Sequence, residues 1–194
     1  MQVNKIEHDG RANERVLNRF ISLASGVRAA DAPRVTLKNK AFFGVSLGAW
    51  TQAAMRGPSA WSIGEREVMA AMVAKWNDCA FCADIHSAVA ARHMGRKTVD
   101  AVLADYHSAP ISPGLKTTLA YLEIMTLRPE KLTEGDAQAV LGSGISAESL
   151  TDAIAIASVF NLIARYASAL GFSVPPRAKL HRLADTLLEG GYRL

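Results

Sequence analysis

Two thiols, an imidazole and a carboxylate fall within one short stretch of this chain. Glu65-Arg66-Glu67 is followed, after eleven residues, by Cys79-Ala80-Phe81-Cys82-Ala83-Asp84-Ile85-His86. At roughly 100° per residue, Cys79 and Cys82 (i, i+3) and Cys82 and His86 (i, i+4) share one face of a helix. Cα atoms three apart on a helix are about 5 Å apart, inside the roughly 4.4–6.8 Å window of a disulfide. Dithiol and disulfide can therefore interconvert with modest movement. An ordinary thiol, with a pKa of about 8.5, is only a few per cent thiolate at neutral pH, and the thiolate is the nucleophile. Lowering that pKa to about 7 takes about 2 kcal/mol of preferential stabilisation. The start of the helix at Cys79 and the imidazole of His86, one turn from Cys82, can supply it. Reversible thiol oxidation outranks two other readings. Inert burial is one. The other is a zinc site using Cys79, Cys82, His86 and a carboxylate, for which no second ligand pair is visible.

The apolar period is helical throughout, and no alternating β-branched run has strand length, so the chain reads as one all-α domain spanning residues 1–194. Ser62 followed by Glu65 is a reciprocal cap and opens a helix over 62–76; Asn77 and Asp78 break it and cap the next, over 79–94, which Gly95 closes. If these two helices form an antiparallel hairpin, Glu67 lies about 15 Å and His86 about 13.5 Å from the turn, at 1.5 Å per residue. They are level. Glu67 also shares its face with Ala70, Ala71 and Ala74, whose small side chains permit close approach, whereas Glu65 is occupied as a cap partner. Glu67 is thus the expected base that takes or orients a proton from His86.

Other helices are expected over 11–25, 35–55 (ending at Arg56-Gly57-Pro58), 98–106 with Thr98 as cap, 113–127, 133–142, 146–170 and 177–188, with residues 1–10 a loose arm. The helix over 146–170 is apolar on nearly all sides, which implies burial within the domain or against another subunit. Within it Asn161 and Arg165, one turn apart, suit a structural or inter-subunit contact. Trp76 and Phe81 suit packing more than a substrate entrance. His93 reads as structural at a helix C-terminus, and His8, His107 and His181 show no partner pattern.

Composition bounds the function. There are 22 Lys+Arg against 18 Asp+Glu, scattered and not gathered into a stripe, so nucleic acid is not an expected partner. The longest charge-free apolar run, residues 153–164, is too short for the roughly 20 residues of a membrane span. The polar start of the chain lacks the layout of a secretory signal, and a cytoplasmic address is expected. In that reducing compartment a lone C-x-x-C favours redox or metal chemistry over a structural bridge.

The run Glu67, then Cys79-x-x-Cys82-x-x-x-His86, resembles the active-site signature of the alkylhydroperoxidase AhpD-like, carboxymuconolactone decarboxylase superfamily. Glu65-Arg66-Glu67 and Phe160-Asn161-Leu162-Ile163-Ala164-Arg165 are most similar to its peroxidase-related branch. The resemblance spans residues 35–172. It implies an all-helical fold, assembly into homo-oligomers, and a thiol peroxidase or disulfide reductase. A trimer or hexamer is the expected assembly, and no cofactor or metal is expected. The resemblance also implies that Cys82 reacts with the hydroperoxide, Cys79 resolves it, and His86 and Glu67 form the proton relay. A dithiol reductant protein, a lipoylated donor in this family, would restore the thiols. Antioxidant members often carry a histidine where this chain has Phe81. A lyase of the carboxymuconolactone decarboxylase type and a redox-sensing or metal-binding oligomer are the alternatives.

Overall fold

The computed structural model describes residues 45–169, 171, 172, 174 and 176–192. The expected arm over 1–10, the helix over 11–25 and the stretch 35–44 lie outside them. Every regular element among the described residues is helical. The first, α1 (Val45–Arg56), stops at Gly57, where an added Cβ would stand 2.4 Å from the Ala53 carbonyl oxygen. Only glycine fits this close turn.

The next helix, α2 (Ile63–Trp76), opens with the expected capping box: the Ser62 hydroxyl accepts the Glu65 N–H and the Glu65 carboxylate accepts the Ser62 N–H. It is buried almost continuously from Arg66 to Ala74, so it is the central helix and not an amphipathic surface one. An antiparallel partner, α3 (Ala80–Met94), makes the most extensive helix–helix contact of the fold with it. Ala70, Ala71 and Ala74 are all fully buried, and a Cβ on Gly64 would fall 2.8 Å from His93 Cβ, which shows how close the two helices run.

The turn between them differs from expectation. Asn77 and Asp78 do end α2, but neither caps α3. Asn77 turns its amide back, donating to the Val73 carbonyl and to Asn161 Oδ1, and Asp78 adopts φ 54°, leaving Cys79 as the N-cap. Thr98 likewise is not a cap. The following helix, α4 (Arg96–Asp105), begins at Gly95, whose φ of 81° lets one residue close α3 and open α4.

After these come α5 (Pro113–Leu127), capped by Ser112, a 3₁₀ turn (Pro129–Lys131), α6 (Glu134–Gly142), capped by Thr133, α7 (Ala147–Ala169) and α8 (Arg177–Gly190). Their expected bounds hold within about two residues. The main core lies between α2, α5 and α7, where Met69, Val73, Leu115, Leu119, Leu122, Ile156 and Phe160 meet. A smaller cluster gathers Ala74, Cys79, Phe81, Cys82, Ile85, Ala164 and Ala167, with Leu180, Leu183 and Leu187 of α8 against it. By length and composition α7 could cross a bilayer, yet its inner face is packed on α1, α2 and α5, while Leu162 on its other side is 43% exposed.

Asn161 ties α7 to the rest. Its Oδ1 accepts from Asn77 and Arg165, and its Nδ2 donates to Thr126. Asn161→Ala strands the buried Thr126 and releases the hairpin turn, and should cost about 1–3 kcal/mol, read as a lower urea midpoint with unchanged slope. Arg165→Ala, on the exposed side, should cost under about 0.5 kcal/mol.

Candidate active site

The hairpin register brings Glu67 and His86 together: Glu67 Oε2 lies 2.7 Å from His86 Nδ1. Glu67 has no solvent exposure, and a carboxylate taken out of water must be met by several donors. Besides His86 it has two more. Arg56 Nη2, from the last turn of α1, donates to Oε1 at 2.7 Å, and the Tyr192 hydroxyl donates to the same oxygen at 2.8 Å. Burial pushes the Glu67 carboxyl up, but the hydrogen bond and charge of His86, followed by those of Arg56, outweigh it and hold the group below the ordinary carboxylate range.

A buried carboxylate can only accept, so His86 Nδ1 carries the hydrogen and donates it to Glu67. Nε2 is then the ring nitrogen left to exchange a proton. The imidazole is held edge-on by Phe160, with centroids 4.5 Å apart, and lies nearly parallel to the Tyr192 ring at 6.0 Å. Glu65, by contrast, stays in its cap on the surface.

Cys79 and Cys82 are free thiols, each almost fully buried in the small apolar cluster. They do not share charge equally. The Cys82 thiol, facing Cys79 as a donor, outweighs the opposing effect of burial. With help from the Cys82 N–H, the Ser168 hydroxyl and the charge of His86, it draws the Cys79 thiol down to about 6. Cys82 moves the other way: its interaction with Cys79 and its own burial push its thiol far above the ordinary range. The thiol at the start of α3 is thus the more acidic of the two and the one favoured as a thiolate. Phe81 packs edge-to-face on Phe172 and Trp76 on Tyr106, so both aromatics are engaged in packing. Among the described residues no three of His, Cys, Asp and Glu converge as a metal site would require.

Sequence reasoning missed Arg56, read only as part of a helix breaker, and Tyr192, which lies beyond the last helix. The signal available was indirect: a carboxylate on an otherwise apolar, alanine-rich face needs cations and hydroxyls from somewhere.

No family model matches the chain, and no curated protein is similar to it in sequence. Solved structures do match. A peroxidase-related protein from Silicibacter sp. TM1040 superposes with a TM-score of 0.74 at 21% identity, over 94% of this chain and 90% of that one. An alkylhydroperoxidase AhpD core, also peroxidase-related, from Ralstonia eutropha JMP134 gives 0.72 at 21% identity, over 90% of each chain. The chain has the AhpD-like fold. The debrominase Bmp8 shares it, with a TM-score of 0.69 at 18% identity over 89% of this chain and 92% of that one. A Cys→Ala variant of that debrominase is known in complex with 2,3,4-tribromopyrrole. A fold does not fix a chemistry, so the groups on the hairpin must be weighed for themselves.

Two outcomes check the electrostatics. Thiolate absorbance at 240 nm in the reduced protein should rise through a midpoint near 6, and Cys82→Ala should move that midpoint up toward about 8.5, because the donor facing Cys79 is gone. Glu67→Gln leaves the Arg56 charge buried without its partner and should cost about 3–5 kcal/mol in urea unfolding, whereas Glu65→Gln, still able to cap, should cost under about 0.5 kcal/mol.

Proposed function

We propose that this protein is a dithiol–disulfide oxidoreductase that reduces hydroperoxides, with Cys79 and Cys82 as the redox pair and His86, oriented by Glu67, as the proton carrier. The observation that carries this reading is the placement of two free, buried thiols, spaced i, i+3 at the start of α3, on the same hairpin as a buried imidazole–carboxylate couple. Within the pair the Cys79 thiol is drawn down to about 6 and the Cys82 thiol pushed up, so one sulfur is the better thiolate and the other the better proton donor. The i, i+3 spacing of the two cysteines suits a disulfide, and the solved structures of the same fold include peroxidase-related proteins.

In the reaction, Cys82 attacks the terminal peroxide oxygen while its proton passes to the Cys79 thiolate. An S–O bond forms, the O–O bond breaks, and the departing alkoxide takes a proton from His86, giving an alcohol and a Cys82 sulfenic acid. Cys79 then displaces that hydroxyl: the S–S bond forms, the S–O bond breaks, and the Cys79 proton leaves with the hydroxyl as water. Two electrons have moved from the thiol pair to the peroxide, and an external dithiol, such as a lipoylated protein, must return them. Cys82 is placed first because it lies one turn from His86. The charge on Cys79 favours a second order of events, in which Cys79 attacks and Cys82 resolves. A homo-oligomer, trimer or hexamer, acting in the cytoplasm belongs to the same proposal, and light scattering tests the assembly.

Stoichiometric peroxide should consume two free thiols per chain. Cys79→Ser should then accumulate a sulfenic acid on Cys82, detected with a dimedone probe. Label on Cys79 in Cys82→Ser, and none in the reverse variant, would establish the second order. Thiols that survive peroxide in the native protein would sink the peroxidase reading and leave a lyase or a structural oligomer.

A further inference from the structure

Tyr192 has no part in the steps above, yet its hydroxyl reaches into the centre of the site. It arrives from beyond the end of α8. Gly191, at φ 65°, turns the chain, and a Cβ there would stand 2.5 Å from Gln52 Oε1. That same Gln52 oxygen accepts the Tyr192 backbone N–H at 2.7 Å. The Arg56 guanidinium sits 5.0 Å over the Tyr192 ring, and the hydroxyl lies 2.8 Å from Glu67 Oε1 and 3.2 Å from His86 Nδ1. A phenol has a single proton to give. Since His86 Nδ1 donates to Oε2, the phenol proton goes to Oε1, beside Arg56 Nη2, and the phenol oxygen becomes a second acceptor facing the Nδ1 hydrogen.

We infer that Tyr192 is a positioning residue: together with Arg56 it saturates Glu67 Oε1, so that Glu67 orients His86 without taking its proton and the mobile proton stops at the imidazole. A carboxylate that already accepts two donors on one oxygen and one on the other keeps little basicity. Burial and the Glu67 charge hold the phenol protonated, so it remains a donor. The other charged groups around Glu67 do not replace it. Arg66, on α2 itself, spends its Nη1 on the Gly57 carbonyl, and Asp152 of α7 acts on Arg66. Phe160 of α7, against His86, carries no charge, and Leu187 of α8 offers only its carbonyl, to Arg56. The consequence for turnover rests on the peroxidase reading; the protonation state of Glu67 does not.

Tyr192→Phe keeps the ring and removes the donor. In protein carrying ¹³C at glutamate side-chain carboxyls, Glu67 should titrate about one pH unit higher in this variant than in the wild type. Gln52→Leu, which releases the Tyr192 backbone, should move the same resonance the same way by less, and it carries the test if Tyr192→Phe does not fold. With tert-butyl hydroperoxide, the acid limb of the kcat profile should move up with Glu67 while KM stays unchanged. Coincident Glu67 titrations in folded wild type and variant would overturn the inference, whatever the activity. A shifted Glu67 curve in a protein that does not turn over peroxide upholds the positioning role and counts against the peroxidase reading alone.

Discussion

A charge with no contact with water organises this protein. The Glu67 carboxylate is fully buried, and the cost of leaving such a group uncompensated exceeds that of almost any other defect in a domain of this size. Its donors come from three separate places: the last turn of α1, the middle of α3, and the segment following α8. Meeting them fixes how these elements sit around α2. Apolar packing could tolerate small rotations of a helix, whereas a carboxylate with its acceptor sites occupied at 2.7–2.8 Å cannot. The network that orients the imidazole is therefore also a device that sets the geometry of the fold.

The sulfurs lie in a different medium. They sit in a cluster of alanines, leucines and aromatics, where desolvation alone would keep both protonated. A single thiolate is favoured there because each sulfur serves the other, Cys82 as donor and Cys79 as acceptor. Spacing of i, i+3 at a helix start thus does two things: it permits a disulfide when oxidised and a shared proton when reduced. The helix start depends in turn on the turn before it, where Asn77 and the left-handed Asp78 leave Cys79 as the N-cap of α3, with Asn161 of α7 holding that turn.

What could be read from the sequence was what local spacing encodes. The capping box at Ser62 and Glu65, the helix over Pro113–Leu127 and the shared level of Glu67 and His86 all follow from periods and caps within one or two turns. Glu67 could be preferred to Glu65 because a cap explained one and an alanine face the other. Arg56 and Tyr192 could not be found in this way, since no pattern links residues 11 and 125 positions from Glu67 to its carboxylate. The turn residues failed for another reason. Asn77 and Asp78 are good caps by type, but a tertiary partner, Asn161, claimed the Asn77 side chain, and Gly95 displaced Thr98 because a single left-handed glycine could join two helices directly.

The donors of Glu67 also differ in how much chain must close before each can arrive. Arg56 is 11 residues away, His86 is 19, and Tyr192 is 125. Loop-closure entropy and contact order favour the nearer two as the hairpin forms, and the last donor joins only when the chain has returned on itself past α7 and α8. The Glu67–His86 contact needs only the hairpin to close, whereas the carboxylate's last donor needs the whole of the chain between. A chain halted short of that stage would hold the Glu67–His86 pair with its carboxylate still missing a partner, so the charge at the hairpin is completed by the tertiary structure and not ahead of it.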